Sequence, residues 1–104
     1  ISDEIYERYI YAPAQQLSVA SLPGMYERTI TLGGFSKTYA MTGWRLGYGV
    51  WPNSLVEKVV RLCVNCHSCV NAPTQFAGIA AQAASVPAVR ARSRKRRAGR
   101  INAT

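Results

Sequence analysis

Residues 34–48, Gly-Phe-Ser-Lys-Thr-Tyr-Ala-Met-Thr-Gly-Trp-Arg-Leu-Gly-Tyr, carry one lysine, Lys37, and one arginine, Arg45, in a segment otherwise free of charge. Upstream, residues 28–32 are short and β-branched around Thr29, Ile30 and Thr31, and they meet Gly33-Gly34, which predicts a strand ending in a turn. Downstream, residues 44–51 read as a second strand closed by Pro52-Asn53. Lys37 is therefore expected on a turn between two rigid elements. After Asn53, read as a helix cap, residues 54–62 place Leu55, Val56, Val59, Val60 and Leu62 at near-helical spacing. Asn71-Ala72-Pro73 reads as another helix start, with Pro73 in the first turn and the alanine-rich residues 74–84 behind it. Strands alternating with helices at these lengths imply an α/β layer architecture, with too few strands to cover the helices, so the sheet is expected to be incomplete.

The chain has 104 residues and a net charge of +8, but that charge is uneven. Residues 1–87 hold six basic and five acidic side chains, a net of +1, while seven basic residues and no acid lie between Arg90 and Arg100. The reading divides the chain into a nearly neutral body, 1–87, and a basic tail, 88–104, too poor in large apolar residues to build a core and expected to be disordered or loosely helical. Such a tail could hold nucleic acid by counterion release, but no aromatic residue interrupts it to stack on bases, so nucleic acid is not the expected partner. Cys63, Cys66 and Cys69 are odd in number and packed into seven residues, a poor disulfide framework that fits a reducing, cytoplasmic setting. No apolar run approaches the roughly 18 residues that span a bilayer. The first residue, Ile1, leads straight into an acidic and aromatic segment, which reads as a start within a longer protein.

The chemistry-bearing residues are Asp3 and Tyr6 in Asp3-Glu4-Ile5-Tyr6, then Ser36, Lys37 and Arg45. An amine is a nucleophile only when neutral, a state that apolar or cationic surroundings favour, and Phe35, Tyr39 and Trp44 are candidates for the apolar part. Arginine offers a planar fork of donors suited to two phosphate oxygens, and Gly33, Gly34 and Gly43 let backbone amides approach the same anion. A lysine beside a phosphate clamp is a cofactor-holding pair. The hydroxyl of Ser36 either donates to that phosphate or caps the turn.

This string closely resembles the lysine segment of the class I and II aminotransferases, which are fold-type I pyridoxal-phosphate (PLP) enzymes, and looks most like the branch containing many prokaryotic aspartate aminotransferases. The resemblance runs from about Ser2 to Ala81 and includes Ser2-Asp3-Glu4-Ile5-Tyr6 and Ser68-Cys69-Val70-Asn71-Ala72-Pro73. It implies a fragment of the PLP-dependent transferase large domain, a mixed, mostly parallel sheet with flanking helices. Carried over by position, Lys37 is the Schiff-base lysine and the acid/base that moves a proton on the substrate. Arg45 binds the cofactor phosphate, Asp3 pairs with the pyridinium nitrogen, and Tyr6 bonds the ring's phenolic oxygen. Some relatives use a serine three residues before the lysine for the phosphate; this chain has Gly34 there, so backbone amides are expected in its place. Asn71 lies where dimeric relatives approach the neighbouring subunit.

The implied activity is transamination between an amino acid and a 2-oxo acid, in amino-acid metabolism, by a protein that is a homodimer at full length. The same lysine segment also serves other fold-type I fates such as β-elimination by a β-lyase or cyclopropane formation by a synthase. The family's substrate-gripping arginine, its ring-stacking aromatic and an asparagine on the phenolic oxygen have no counterpart among these residues, so the isolated segment is expected to be inactive. Two other motifs compete. Cys63-Val64-Asn65-Cys66-His67 matches the haem-attachment pattern C-x-x-C-H and, with Cys69, a zinc-ligand set, but it lies inside the aminotransferase-like stretch and is read as small, partly buried thiols. Gly33-Gly34-Phe35-Ser36-Lys37-Thr38 resembles the end of a phosphate-binding P-loop, yet the two glycines that motif requires are Ser36 and Thr31 here.

Overall fold

Ser2 and Thr31 stand side by side although they lie 29 positions apart in the chain, and that pairing starts the sheet. The computed structural model describes residues 1–85; the expectations for the basic tail lie outside the described residues. Strand β1 (Ser2–Asp3) runs parallel to β2 (Thr31–Gly34), with the Ser2 and Glu4 amides donating to the Ile30 and Leu32 carbonyls at 2.8 Å each. Strand β3 (Gly47–Val50) lies antiparallel on the other edge of β2, pairing Gly34 with Gly47 and Gly33 with Tyr48. The order is β1-β2-β3, a mixed sheet in an α/β chain. The one-turn helix α1 (Phe35–Thr38) leaves the end of β2, α2 (Asn53–His67) follows β3, and a third helix, α3, occupies residues 72–85.

The first strand prediction shifts. Residues Tyr26–Arg28 form a 3-10 turn, and β2 begins at Thr31 and takes in both glycines. The reason is close approach rather than turning. A Cβ on Gly33 would sit 2.5 Å from Cζ of Tyr48, and one on Gly34 would meet Cδ1 of Ile5 at 2.8 Å and the Leu46 carbonyl at 3.3 Å. The second prediction shortens: Thr42–Trp44 is a 3-10 turn and Arg45 is left-handed, with φ 53 and ψ 46, so β3 begins only at Gly47. A non-glycine residue in that conformation costs about 1–3 kcal/mol unless its surroundings hold it there.

Helix α2 begins one residue before its predicted start and continues five beyond Leu62. Asn53 is its first residue and not its cap. Pro52 takes the cap position at φ −52 and ψ 138, and no side chain caps the end. The Asn71 prediction holds, because its Oδ1 accepts the Thr74 amide at 3.0 Å. This is the bond that makes Asn a good N-cap. Thr74 and Gly78, four residues apart on α3, are buried on the same side of the helix. Gly78 faces Leu46 and the Phe35 ring, and Phe35, 6% exposed, is the one buried large apolar side chain among the described residues. By contrast Val56, Val60, Leu62 and Val64 of α2 remain exposed. Packing energy is therefore concentrated under α1, the turn that carries Lys37.

Candidate functional site

Lys37 is the third residue of α1, and the fold fastens that turn on three sides. The Phe35 amide donates to the Leu46 carbonyl at 3.1 Å, joining the start of α1 to the entry of β3. The Tyr39 ring stacks on Phe35 with centroids 5.1 Å apart, and the Tyr39 and Ser85 hydroxyls lie 3.3 Å apart, which ties the turn to α3. From the other direction the Tyr9 hydroxyl donates to the Lys37 carbonyl at 3.1 Å. A short helix contributes little stability of its own, so these contacts hold it in place.

The Lys37 side chain is half-buried, and its Nζ stands 5.5 Å from the centroid of the Tyr6 ring. Tyr6 in turn meets Tyr9 edge to face, with centroids 5.9 Å apart and an interplanar angle of 84°. An ammonium over a tyrosine face gains roughly 0.5–1 kcal/mol at an exposed site. Two of the sequence-derived residues are thus brought together directly, and Tyr9 braces both.

Ser36 and Arg45 are connected through a residue the sequence reading passed over. The Thr42 hydroxyl donates to the Ser36 carbonyl at 3.1 Å, while Nη1 of Arg45 donates to the Thr42 carbonyl at 3.0 Å. Asp3 sits at the end of β1 in register with Leu32, five residues before Lys37. Its Oδ1 accepts the Ile5 amide at 3.2 Å, which fixes the turn leading to Tyr6. The neighbouring Glu4 accepts from the Ser2 and Ser18 hydroxyls at 3.0 and 2.9 Å and from the Val19 amide at 3.3 Å, securing the next loop. Tyr9, three residues after Tyr6 in an aromatic run, and Thr42, a hydroxyl three residues before Arg45, were detectable only as local turn residues.

Arg45 also lines a cleft of about 740 Å³ with Ala40, Trp44, His67, Cys69 and Asn71. Cys63, Cys66 and Cys69 are free thiols, and among the described residues no group of three or more His, Cys, Asp or Glu side chains converges as a metal site. Burial pushes the Tyr48 phenol up from its ordinary value, and the negative charge of Glu7 pushes it further the same way. No described helix is long and apolar enough to cross a membrane.

The family model described as "Aminotransferase class I and II" matches residues 1–104. An aspartate aminotransferase of Pinus pinaster is 52% identical over 83 residues, 80% of this chain and 17% of the relative. One from Pyrococcus abyssi is 59% identical over 61 residues, 59% of this chain and 16% of the relative. Among solved structures, an aromatic aminotransferase from Pyrococcus horikoshii superposes with a TM-score of 0.72 at 50% identity, covering 79% of this chain and 21% of that one. The chain spans about a fifth of these relatives or less.

Proposed function

This chain belongs to the class I and II aminotransferases, and on that premise we propose that the protein carrying it moves an amino group between an amino acid and a 2-oxo acid, with PLP held at Lys37. The observation that carries the reading is the half-buried Lys37 Nζ standing 5.5 Å from the Tyr6 ring. The donor set suits this cofactor: an amine for its aldehyde carbon, a guanidinium for its phosphate, a carboxylate for its ring nitrogen and a phenol for its ring oxygen. When bound, the cofactor supplies an electron sink for the charge left as a substrate Cα–H bond breaks.

Lys37 is the residue that would hold the cofactor's aldehyde carbon, and its Nζ, once free, is the group that would carry the proton from the substrate Cα to that former aldehyde carbon, as amino-group transfer requires. The Arg45 guanidinium would hold the cofactor phosphate, and the Ser36 hydroxyl is a second donor for the same anion. The Asp3 carboxylate would pair with the ring nitrogen, and the Tyr6 hydroxyl would donate to the ring oxygen. These roles rest on the chemical types of the side chains, their matching motif positions and the turn system that joins their segments. In the same reading the complete protein is a cytoplasmic homodimer, a setting the three free cysteines support, and residues 1–87 are one part of its large domain.

The test is spectroscopic. Added PLP is expected to give the complete protein the visible absorption band of covalently held cofactor, and Lys37→Ala is expected to abolish it while the circular dichroism stays unchanged. A band that survives in Lys37→Ala refutes the assignment.

A further inference from the structure

Two anchors eight positions apart in the chain must hold the two ends of one rigid ligand, so the distance between them matters as much as either contact. In this chain the intervening loop is closed by a backbone bond, Phe35 amide to Leu46 carbonyl, and inside that closure by a second backbone bond, Met41 amide to Phe35 carbonyl, and by one side chain. Thr42 uses both ends of itself: its hydroxyl bonds the Ser36 carbonyl at 3.1 Å, one residue before Lys37, and its own carbonyl receives Arg45 Nη1 at 3.0 Å. Arg45 needs such support, because its backbone is left-handed and its side chain is exposed. A guanidinium has five N–H donors. Committing one of them to the Thr42 carbonyl restricts the side chain's rotamers and leaves the others for an anion.

We propose that Thr42 is a positioning residue that sets the spacing between the Lys37 amine and the Arg45 guanidinium, and so selects a ligand carrying both an aldehyde and a phosphate. The inference rests on the cofactor reading above and deepens it. Without the hydroxyl, the 3-10 turn Thr42–Trp44 is tied to α1 only through the longer backbone bond from the Met41 amide to the Phe35 carbonyl, 3.3 Å, and the Arg45 side chain samples rotamers that miss the phosphate. The amine end of the ligand does not depend on that tie.

The experiment compares PLP with pyridoxal, the same aldehyde lacking the phosphate, in the complete protein. Thr42→Val, which keeps the shape and removes the hydroxyl, is expected to weaken PLP about five- to tenfold, the range one lost hydrogen bond allows, and to leave pyridoxal within about twofold. Thr42→Ser is expected to restore PLP affinity to within about twofold of the wild type. Thr42→Ala provides the same comparison with a smaller side chain, and ligand-free thermal unfolding shows that each variant is folded. Equal weakening of both ligands marks a merely structural role and overturns the proposal, as does a Thr42→Val protein that keeps the full wild-type preference for PLP. A wild-type protein without that preference overturns the cofactor reading itself, which separates the two failures.

Discussion

Gly33→Ala adds one methyl group to the strand beneath the lysine turn, and its cost follows from the geometry. The new Cβ would lie 2.5 Å from Cζ, 2.6 Å from the hydroxyl oxygen and 2.8 Å from Cε2 of Tyr48, so the ring must retreat by about an ångström to reach ordinary contact. Tyr48 is not free to do so at no cost, because its ring packs edge to face on Phe35 with centroids 6.2 Å apart and an interplanar angle of 79°. Giving up that contact costs about 0.5–1.5 kcal/mol, and residual overpacking costs about 1–3 kcal/mol. Against this, alanine loses less chain entropy than glycine on folding, a gain of about 0.5–1 kcal/mol. The net expectation is a destabilisation of about 0.5–4 kcal/mol, the low end applying if the ring moves with little residual strain. In a Tyr48→Ala background the obstruction is gone and the entropy term remains, so the same substitution should be neutral or slightly stabilising. Urea unfolding of the complete protein, with all four members of the cycle showing the same m-value, measures the coupling. If Gly33→Ala costs the same in both backgrounds, the close approach of Tyr48 is not why glycine stands there.

Two other substitutions probe the supports of the site. Asn71→Ala removes the cap on the Thr74 amide and is expected to cost about 1 kcal/mol, while Asn71→Ser should recover most of it in the same unfolding assay. Tyr48 binds its proton more tightly folded than unfolded, so its contribution to stability is complete below the usual phenol value of about 10 and is lost as pH rises through the higher folded-state value. Urea midpoints measured from pH 9 to 11.5 should therefore fall less steeply for Tyr48→Phe than for the wild type, and identical slopes would remove the argument.

Local chemistry was legible in the sequence where it is sufficient on its own. Asn71 with Pro73 marks a helix start through groups within four residues of each other, and the apolar spacing after Asn53 marks α2. Where the reading missed, the deciding partner was distant. Gly33 and Gly34 look like a turn until Tyr48 and Ile5 are seen against them, and Ser2–Asp3 is a strand only because Thr31 and Leu32 lie alongside. Arg45 interrupts an apparently continuous strand because it closes the turn that Thr42 ties to Ser36. The site divides in the same way. Lys37, Arg45, Asp3 and Tyr6 are proposed from their chemical types and family resemblance, whereas the bracing by Tyr9 and Thr42 depends on hydrogen bonds to backbone carbonyls that no motif marks.

The most direct test of the central claim is to reduce the complete protein with borohydride after loading it with PLP and then to map the modified peptide. Residues 1–104 contain three lysines, Lys37, Lys58 and Lys95, so the answer is unambiguous within them. The account predicts the phosphopyridoxyl mass on Lys37, with transamination activity lost in proportion to labelling. A label on Lys58, on Lys95 or elsewhere in the protein, with Lys37 unmodified and activity lost, would contradict it.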